Sequence, residues 1–166
     1  KLAMQPIHQS DSLGDSSGRI DSVAMLARAR ALKRATAAGE SPRPLLGKNL
    51  ALMCADESPA ADLFRRAASG LGARVAFIRA TLHESSLPEE ILKTAGMLGR
   101  LYDGVECQGM AHHVVERLAA GAHIPIFAGV ASSLHPSARF DAELGDADGQ
   151  DNHFFVVQAM LVESVF

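Results

Sequence analysis

The sequence predicts an α/β domain on a parallel sheet of four strands, and three observations lead there. Four short apolar runs, Asn49 to Cys54, Val75 to Ile78, Val105 to Cys107 and Ile124 to Ala128, alternate with stretches whose apolar residues recur at helical spacing. The first run shows no polar alternation, as expected of a strand covered on both faces. Composition agrees: 48% of the 166 residues are apolar but only 5% aromatic, the balance of a globular α/β chain rather than a disordered one. A chain of this length is the size of one domain and can bury a substantial core.

Taken in order, Lys1 to Gly18, rich in Ser, Asp and Gly, reads as a polar tail. Asp21 or Ser22 then caps a helix running to about Ala38, with Ile20, Val23, Leu26 and Leu32 inward and Gly39 at its end. Its basic cluster, Arg28, Arg30, Lys33 and Arg34, is expected to be a solvated face. Glu40 to Pro44 is a linker into the central unit, Gly47 to Ile78. After the first strand, Ser58 offers a capping oxygen and Pro59 fits the first helical position, where a missing N–H costs nothing. Leu63, Phe64, Ala67, Ala68 and Leu71 form one apolar stripe, and Gly72 ends the helix. With the strand Val75 to Ile78, this makes a βαβ unit with a right-handed crossover.

Arg79 to Leu87 is a polar loop, and Pro88, Glu89 and Glu90 open the next helix with acidic residues in its first turn. Ile91, Ala95, Leu98 and Leu101 are its expected core stripe. Gly104 precedes the third strand, and Gln108-Gly109-Met110 turns into a helix over Ala111 to Ala120 that points Val114, Val115 and Leu118 inward. After the fourth strand, His135-Pro136 starts a helix through Phe140 to Leu144. Gly145 to Gln150 is a turn-type linker. Asp151 or Asn152 caps a last helix that is apolar on nearly every side, so residues 151–166 are expected to pack back on the domain or on a partner chain.

Several function classes are disfavoured. A net charge of −3 argues against nucleic acid. No apolar run of ~18 residues suggests a membrane span. Cys54 and Cys107 fall in expected buried strands without a CxxC pair, which fits a reducing cytoplasm. His112 and His113 diverge by ~100° on a helix, and His83, His112 and His135 do not have a metal-site spacing, so neither metal nor cofactor is expected.

The strand-to-helix turn of the central unit has the geometry of a phosphate site, since a helix N-terminus favours an anion. Its residues oppose one. Asp56, Glu57 and Asp62 surround the turn, while Ala60 and Ala61 carry no donor. Unit like charges ~6 Å apart repel by roughly 3 kcal/mol at an effective dielectric of ~20, against ~0.3 to 1 kcal/mol gained at a helix terminus. Only Arg65 and Arg66, folding back, could compensate.

These residues carry a resemblance. LLGKNLAL, the AA-x-x-x-GARV rhythm of Ala67 to Val75, TAGMLGRLYDGVECQG at Thr94 to Gly109, LAAGAHIPIFAGV at Leu118 to Val130 and His135-Pro136 follow one another as in the amino-terminal, carbamoyl-phosphate-binding domain of the ornithine and aspartate carbamoyltransferases. DNHFFVVQAMLVESV is similar to that family's last helix, which returns to the amino-terminal domain. The resemblance implies a three-layer αβα domain over residues 19–144 and a homotrimer formed through it.

The departures bear on function. The family's Ser-Thr-Arg-Thr-Arg phosphate loop corresponds here to Glu57 to Asp62, without either arginine. Its Arg-Gly after the third strand is Gln108-Gly109, and its His-Pro-x-Gln is His135-Pro136-Ser137-Ala138. The second domain, which binds the amino-acid substrate, is replaced by GDADGQ. Ser58, Gln108 and His135 are the remnant ligand-binding candidates. The reading is a catalytically inactive descendant acting as an oligomeric binding or assembly module, with a full-length carbamoyltransferase as a candidate partner. The alternatives are altered chemistry in the reshaped cleft, or residual carbamoyl transfer.

Overall fold

The computed structural model describes residues 20–145 and 149–166. The polar tail expected at 1–18 and the middle of the expected linker lie outside them. The elements are α1 (Ser22–Ala37), β1 (Asn49–Cys54), α2 (Pro59–Gly70), β2 (Arg74–Arg79), α3 (Pro88–Leu101), β3 (Gly104–Cys107), α4 (His112–Ala122), β4 (Ile126–Ala128), a 3-10 segment (Pro136–Leu144) and α5 (Gly149–Val165). The strands form a parallel sheet in the order β2-β1-β3-β4. Strand β1 is central and buried, as its unbroken apolar run requires.

Each sheet face carries its own core. On one, Met25 and Leu26 of α1, Phe64 of α2 and Met160 and Leu161 of α5 cover Leu50, Leu52 and Phe127. On the other, Ile91 and Leu98 of α3 and Val114 and Leu118 of α4 cover Ala51, Val105 and Ile126. The three-layer αβα architecture therefore stands. Helices α3 and α4 cross very closely: a Cβ on Gly99 would collide with the carbonyl oxygen of Ala122, and one on Gly121 would meet Ala95 and Leu92 at 3.0 Å.

Local differences from expectation have local causes. Asp21 caps α1 by accepting the Val23 N–H at 2.9 Å. This leaves Val23 in the first turn and 75% exposed, with Met25 and Ala29 taking the inner positions. Leu101, the last residue of α3, is 58% exposed rather than in the core. Strand β4 begins at Ile126 rather than Ile124, because Pro125 has no N–H to give the ladder. Its carbonyl still accepts from Val105 at 2.9 Å.

The segment after His135 forms 3-10 turns rather than an α-helix. Carbonyls near its end are taken by side chains from elsewhere: Asp141 O by Asn152 Nδ2 at 3.0 Å, Glu143 O by Arg30 at 3.1 Å and Leu144 O by Lys33 Nζ at 2.9 Å. The basic cluster of α1 is thus not merely a solvated face. Arg28 also pairs with Glu163 of α5 at 2.9 Å, and Lys33 Nζ reaches Asn152 Oδ1 at 2.8 Å.

Helix α5 begins at Gly149, so Asp151 and Asn152 lie within it instead of capping it. It rests against α1, α2 and the 3-10 segment. Val156, Val157, Met160, Leu161 and Val162 are buried. Its buried Gln158 donates to Ala67 O at 3.1 Å, so that polar group is satisfied inside the core.

Candidate functional site at the carboxyl edge of the sheet

Three turns meet this edge, one after each of β1, β3 and β4. In the first, Ser58 Oγ accepts the Ala61 N–H at 3.0 Å and Ser58 O accepts that of Asp62 at 3.0 Å, while Pro59 has none to give. The two nearby arginines are engaged along the helix. Arg66 Nε lies 2.7 Å from Asp62, and its guanidinium also sits over the Phe154 ring. Arg65 is 3.1 Å from Asp62 and 3.8 Å from Glu57. The hydrogen bonds from Arg66 and Arg65 hold the Asp62 carboxyl below its usual range. The helix end is capped and already has a carboxylate in its first turn.

The second turn follows β3, where Glu106 is completely buried. Its register partner Phe127 belongs to the core under α1, α2 and α5, whereas Cys107 belongs to the core under α3 and α4. The Glu106 carboxylate accepts three successive backbone N–H groups from the turn after β4: Gly129 at 2.8 Å and Val130 at 3.1 Å on Oε1, and Ala131 at 3.2 Å on Oε2. Gln108 Nε2 adds a longer contact of 3.4 Å, and Gln108 Oε1 is buried without a partner. Burial pushes the Glu106 carboxyl up to about 7, against the lowering by these donors.

The third turn carries His135. Its Nδ1 accepts the Ser137 N–H at 3.1 Å and lies 2.7 Å from Ser137 Oγ. Burial, and then the nearby His153, depress its pKa to about 4. The ring is therefore neutral, and with Nδ1 accepting, the proton resides on Nε2. His135 presents one uncharged donor.

His135 borders a cavity of about 300 Å³. Cys107, Met110, Val115 and Ala128 form much of its wall, with Ser132, Leu134 and Pro136 around the histidine. Ser58 and Gln108 do not line it. Of the three candidates, the structure gives the cavity His135 alone: Ser58 is committed to its helix, and Gln108 shares the sheet face of Glu106. His112 also borders the cavity but is exposed and pairs with Glu116 at 3.0 Å, while the ring of His113 lies 3.2 Å from Glu84 O. Among the described residues, no group of three His, Cys, Asp or Glu side chains could hold a metal. Cys54 is buried, and burial raises its thiol pKa further from reactivity.

Two features of this edge escape sequence reasoning. Glu106 was readable only as a charge inside the apolar run Val-Glu-Cys, a signal for a buried carboxylate needing donors. His153 had no such signal: its Nδ1 lies 3.0 Å from Asp141 and its Nε2 3.1 Å from Val130 O.

Residues 16–140 match the carbamoyl-phosphate-binding domain of the aspartate/ornithine carbamoyltransferases. The chain belongs to this family. An ornithine carbamoyltransferase of Haemophilus influenzae is 37% identical over 114 residues, which are 68% of this chain and 34% of that protein. One from Actinobacillus pleuropneumoniae is 38% identical over the same shares. Among solved structures, the ornithine carbamoyltransferase of Pyrococcus furiosus superposes with a TM-score of 0.62 at 25% identity, covering 74% of this chain and 39% of that one. That of Burkholderia thailandensis gives 0.63 at 20% identity, covering 75% and 43%. The chain spans about a third of the length of the curated relatives it matches. The carbamoyltransferase fold is thus kept.

Proposed function

We propose that this carbamoyltransferase-family domain does not transfer carbamoyl groups and acts as an oligomeric binding or assembly module. The observation that carries this reading is the turn at Ser58, where Arg65 and Arg66 are bound to Asp62 beside a capped helix end. Transfer from carbamoyl phosphate requires cations and free backbone donors for the phosphate, and groups that stabilise developing charge on the carbamoyl oxygen. The cavity offers the neutral His135 for the second purpose, and the turns offer little for the first. The amine must also be held within attack distance. Here only four residues separate Leu144 from Gly149, and α5 closes on the domain at once.

Self-association is supported by apolar side chains left outside the two cores. Phe77 on the edge strand β2 is 53% exposed, and Leu87, Leu92, Met97 and Leu101 are exposed on or beside α3. A homotrimer, or joint assembly with a full-length carbamoyltransferase, would cover such a surface. Both thiols are buried, as suits a reducing cytoplasm. Among the described residues, no helix is long and apolar enough to cross a membrane.

Calorimetric titration with carbamoyl phosphate tests the reading at its weakest ligand. No heat of binding is expected up to millimolar ligand. Micromolar affinity would show that the arginines leave Asp62 when phosphate arrives.

A further inference from the structure

We propose that a second cavity, at the amino edge of the sheet, binds a small carboxylate with an apolar body, its anionic end on Arg74 and its body against Leu101 and Tyr102. The inference goes beyond the reading above, because this site lies at the opposite end of the strands from the turns that carry Ser58 and His135.

The cavity, of about 250 Å³, lies where β1 and β2 begin and α3 ends. Strand alternation sets which side chains face it. Ala51 and Met53 of β1 and Ile78 of β2 belong to the core under α3 and α4, whereas Leu50, Leu52 and Val75 belong to the other core. Asn49 and Arg74 are in phase with the first set, so both project to the α3 side, and as register partners they stand next to each other. Leu101 and Tyr102 close that side from the end of α3. Two hydrogen bonds fix this end of the helix against β1: Asp103 N–H to Asn49 O at 2.7 Å, and Asn49 N–H to Asp103 Oδ2 at 2.8 Å.

The chemistry of the walls selects the guest. Among the described residues, neither the exposed Arg74 guanidinium nor the Asn49 side-chain amide has an ion-pair or hydrogen-bond partner, and Arg74 is the one charged residue in the lining. A planar guanidinium offers paired N–H donors that match a carboxylate, and the Asn49 amide supplies a further donor beside it. The Asp103 carboxylate does not line the cavity, and its Oδ2 is taken by the Asn49 N–H. A dianion such as phosphate would leave its second charge beside Leu101 and Ala76 without a counter-ion. A monoanion with an apolar body instead covers Leu101, which is 58% exposed, and meets the Tyr102 ring. A volume just below the ~300 to 1,000 Å³ of larger ligand sites limits the guest to about the size of benzoate.

The test titrates the full chain, labelled at leucine and alanine methyls, with benzoate by NMR. Benzamide serves as a comparator with the same shape and no charge, and inorganic phosphate as one with charge and no apolar body. The proposal predicts saturable shifts of the Leu101 and Ala76 methyl signals with benzoate, and roughly tenfold weaker binding of benzamide. Arg74→Gln should weaken benzoate binding by a similar factor, and Arg74→Lys, which keeps the charge but not the fork, should fall between the two. The wild-type comparison of benzoate with benzamide stands however well the variants fold. Unmoved signals, equal affinity for benzamide, undiminished binding in Arg74→Gln, or phosphate binding as tight as benzoate would each overturn the proposal. None of these results touches the proposed absence of carbamoyl transfer, which rests on the opposite edge of the sheet.

Discussion

His153 of α5 donates its Nε2–H to the carbonyl of Val130 at 3.1 Å, and the N–H of the same residue goes to Glu106 at 3.1 Å. A carbonyl only accepts, so the Nε2 proton is fixed, and Nδ1 shares a proton with Asp141 across 3.0 Å. The turn carrying the cavity is therefore gripped from β3 on one side and from the last helix on the other.

Removing the last helix should consequently do more than expose apolar surface. Phe155, Val156, Val157, Met160 and Leu161 are each 7% exposed or less, and burial of such side chains is worth roughly 1.5 to 3 kcal/mol apiece. That sum rivals the ~5 to 15 kcal/mol net stability of a domain. A chain truncated after Gly149 is expected to be unfolded or insoluble by circular dichroism and sedimentation. A soluble truncation with an unchanged melting transition would instead make α5 a docking element for another protein.

Glu106→Ala should cost about 3 to 5 kcal/mol, because it strands the buried N–H groups of Val130 and Ala131 and frees that of Gly129. Glu106→Gln should cost less, about 1 to 3 kcal/mol, since one amide oxygen still accepts while its NH2 opposes a donor. Urea denaturation measures both. The reverse order would mean that the carboxylate is a burden on the fold rather than its organiser.

The pH dependence separates the two groups by sign. His135 is depressed from 6.5 to about 4, so between these values the unfolded chain binds a proton that the folded chain refuses. Its contribution is complete above 6.5 and is lost as pH falls towards 4. Glu106 is raised from 4.5 to about 7, so the folded chain holds a proton that the unfolded chain has released. Its contribution is complete below 4.5 and is lost as pH rises through 7. Unfolding free energies of wild type minus His135→Asn should therefore climb with pH from 4 to 6.5, and those of wild type minus Glu106→Gln should fall from 4.5 to 7. Flat difference profiles would contradict the protonation states assigned to the site.

The trimer expected from the family resemblance would use apolar surface such as the exposed Phe77, Leu92, Met97 and Leu101. Light scattering at micromolar concentration should return three times the chain mass of 17.5 kDa. A monomer mass would remove the assembly role and leave the binding role alone.

What was legible in the sequence follows the range of the interactions. The buried run of β1, the Ser58-Pro59 helix start and the stripe of α2 depend on neighbours within a few residues, and they were read directly. Val23 and Leu101 misled because they continue a periodic stripe into the helix ends, where both side chains are exposed. The basic face of α1 looked solvated because the carbonyl that Lys33 serves lies 111 residues away. Glu106 looked like an incidental strand residue because its donors belong to the next strand's turn. Ser58, Gln108 and His135 share a sheet edge, but strand alternation sends Gln108 to the face opposite Cys107, and only His135 reaches the cavity.

The central claim is the loss of carbamoyl transfer, and the direct measurement is product formation by the purified chain. With carbamoyl phosphate and either ornithine or aspartate at saturating concentration, citrulline and carbamoyl-aspartate should not rise above the protein-free rate, even with ample protein. Product formation proportional to the amount of chain, retained through a second purification and reduced in His135→Asn, would contradict the account.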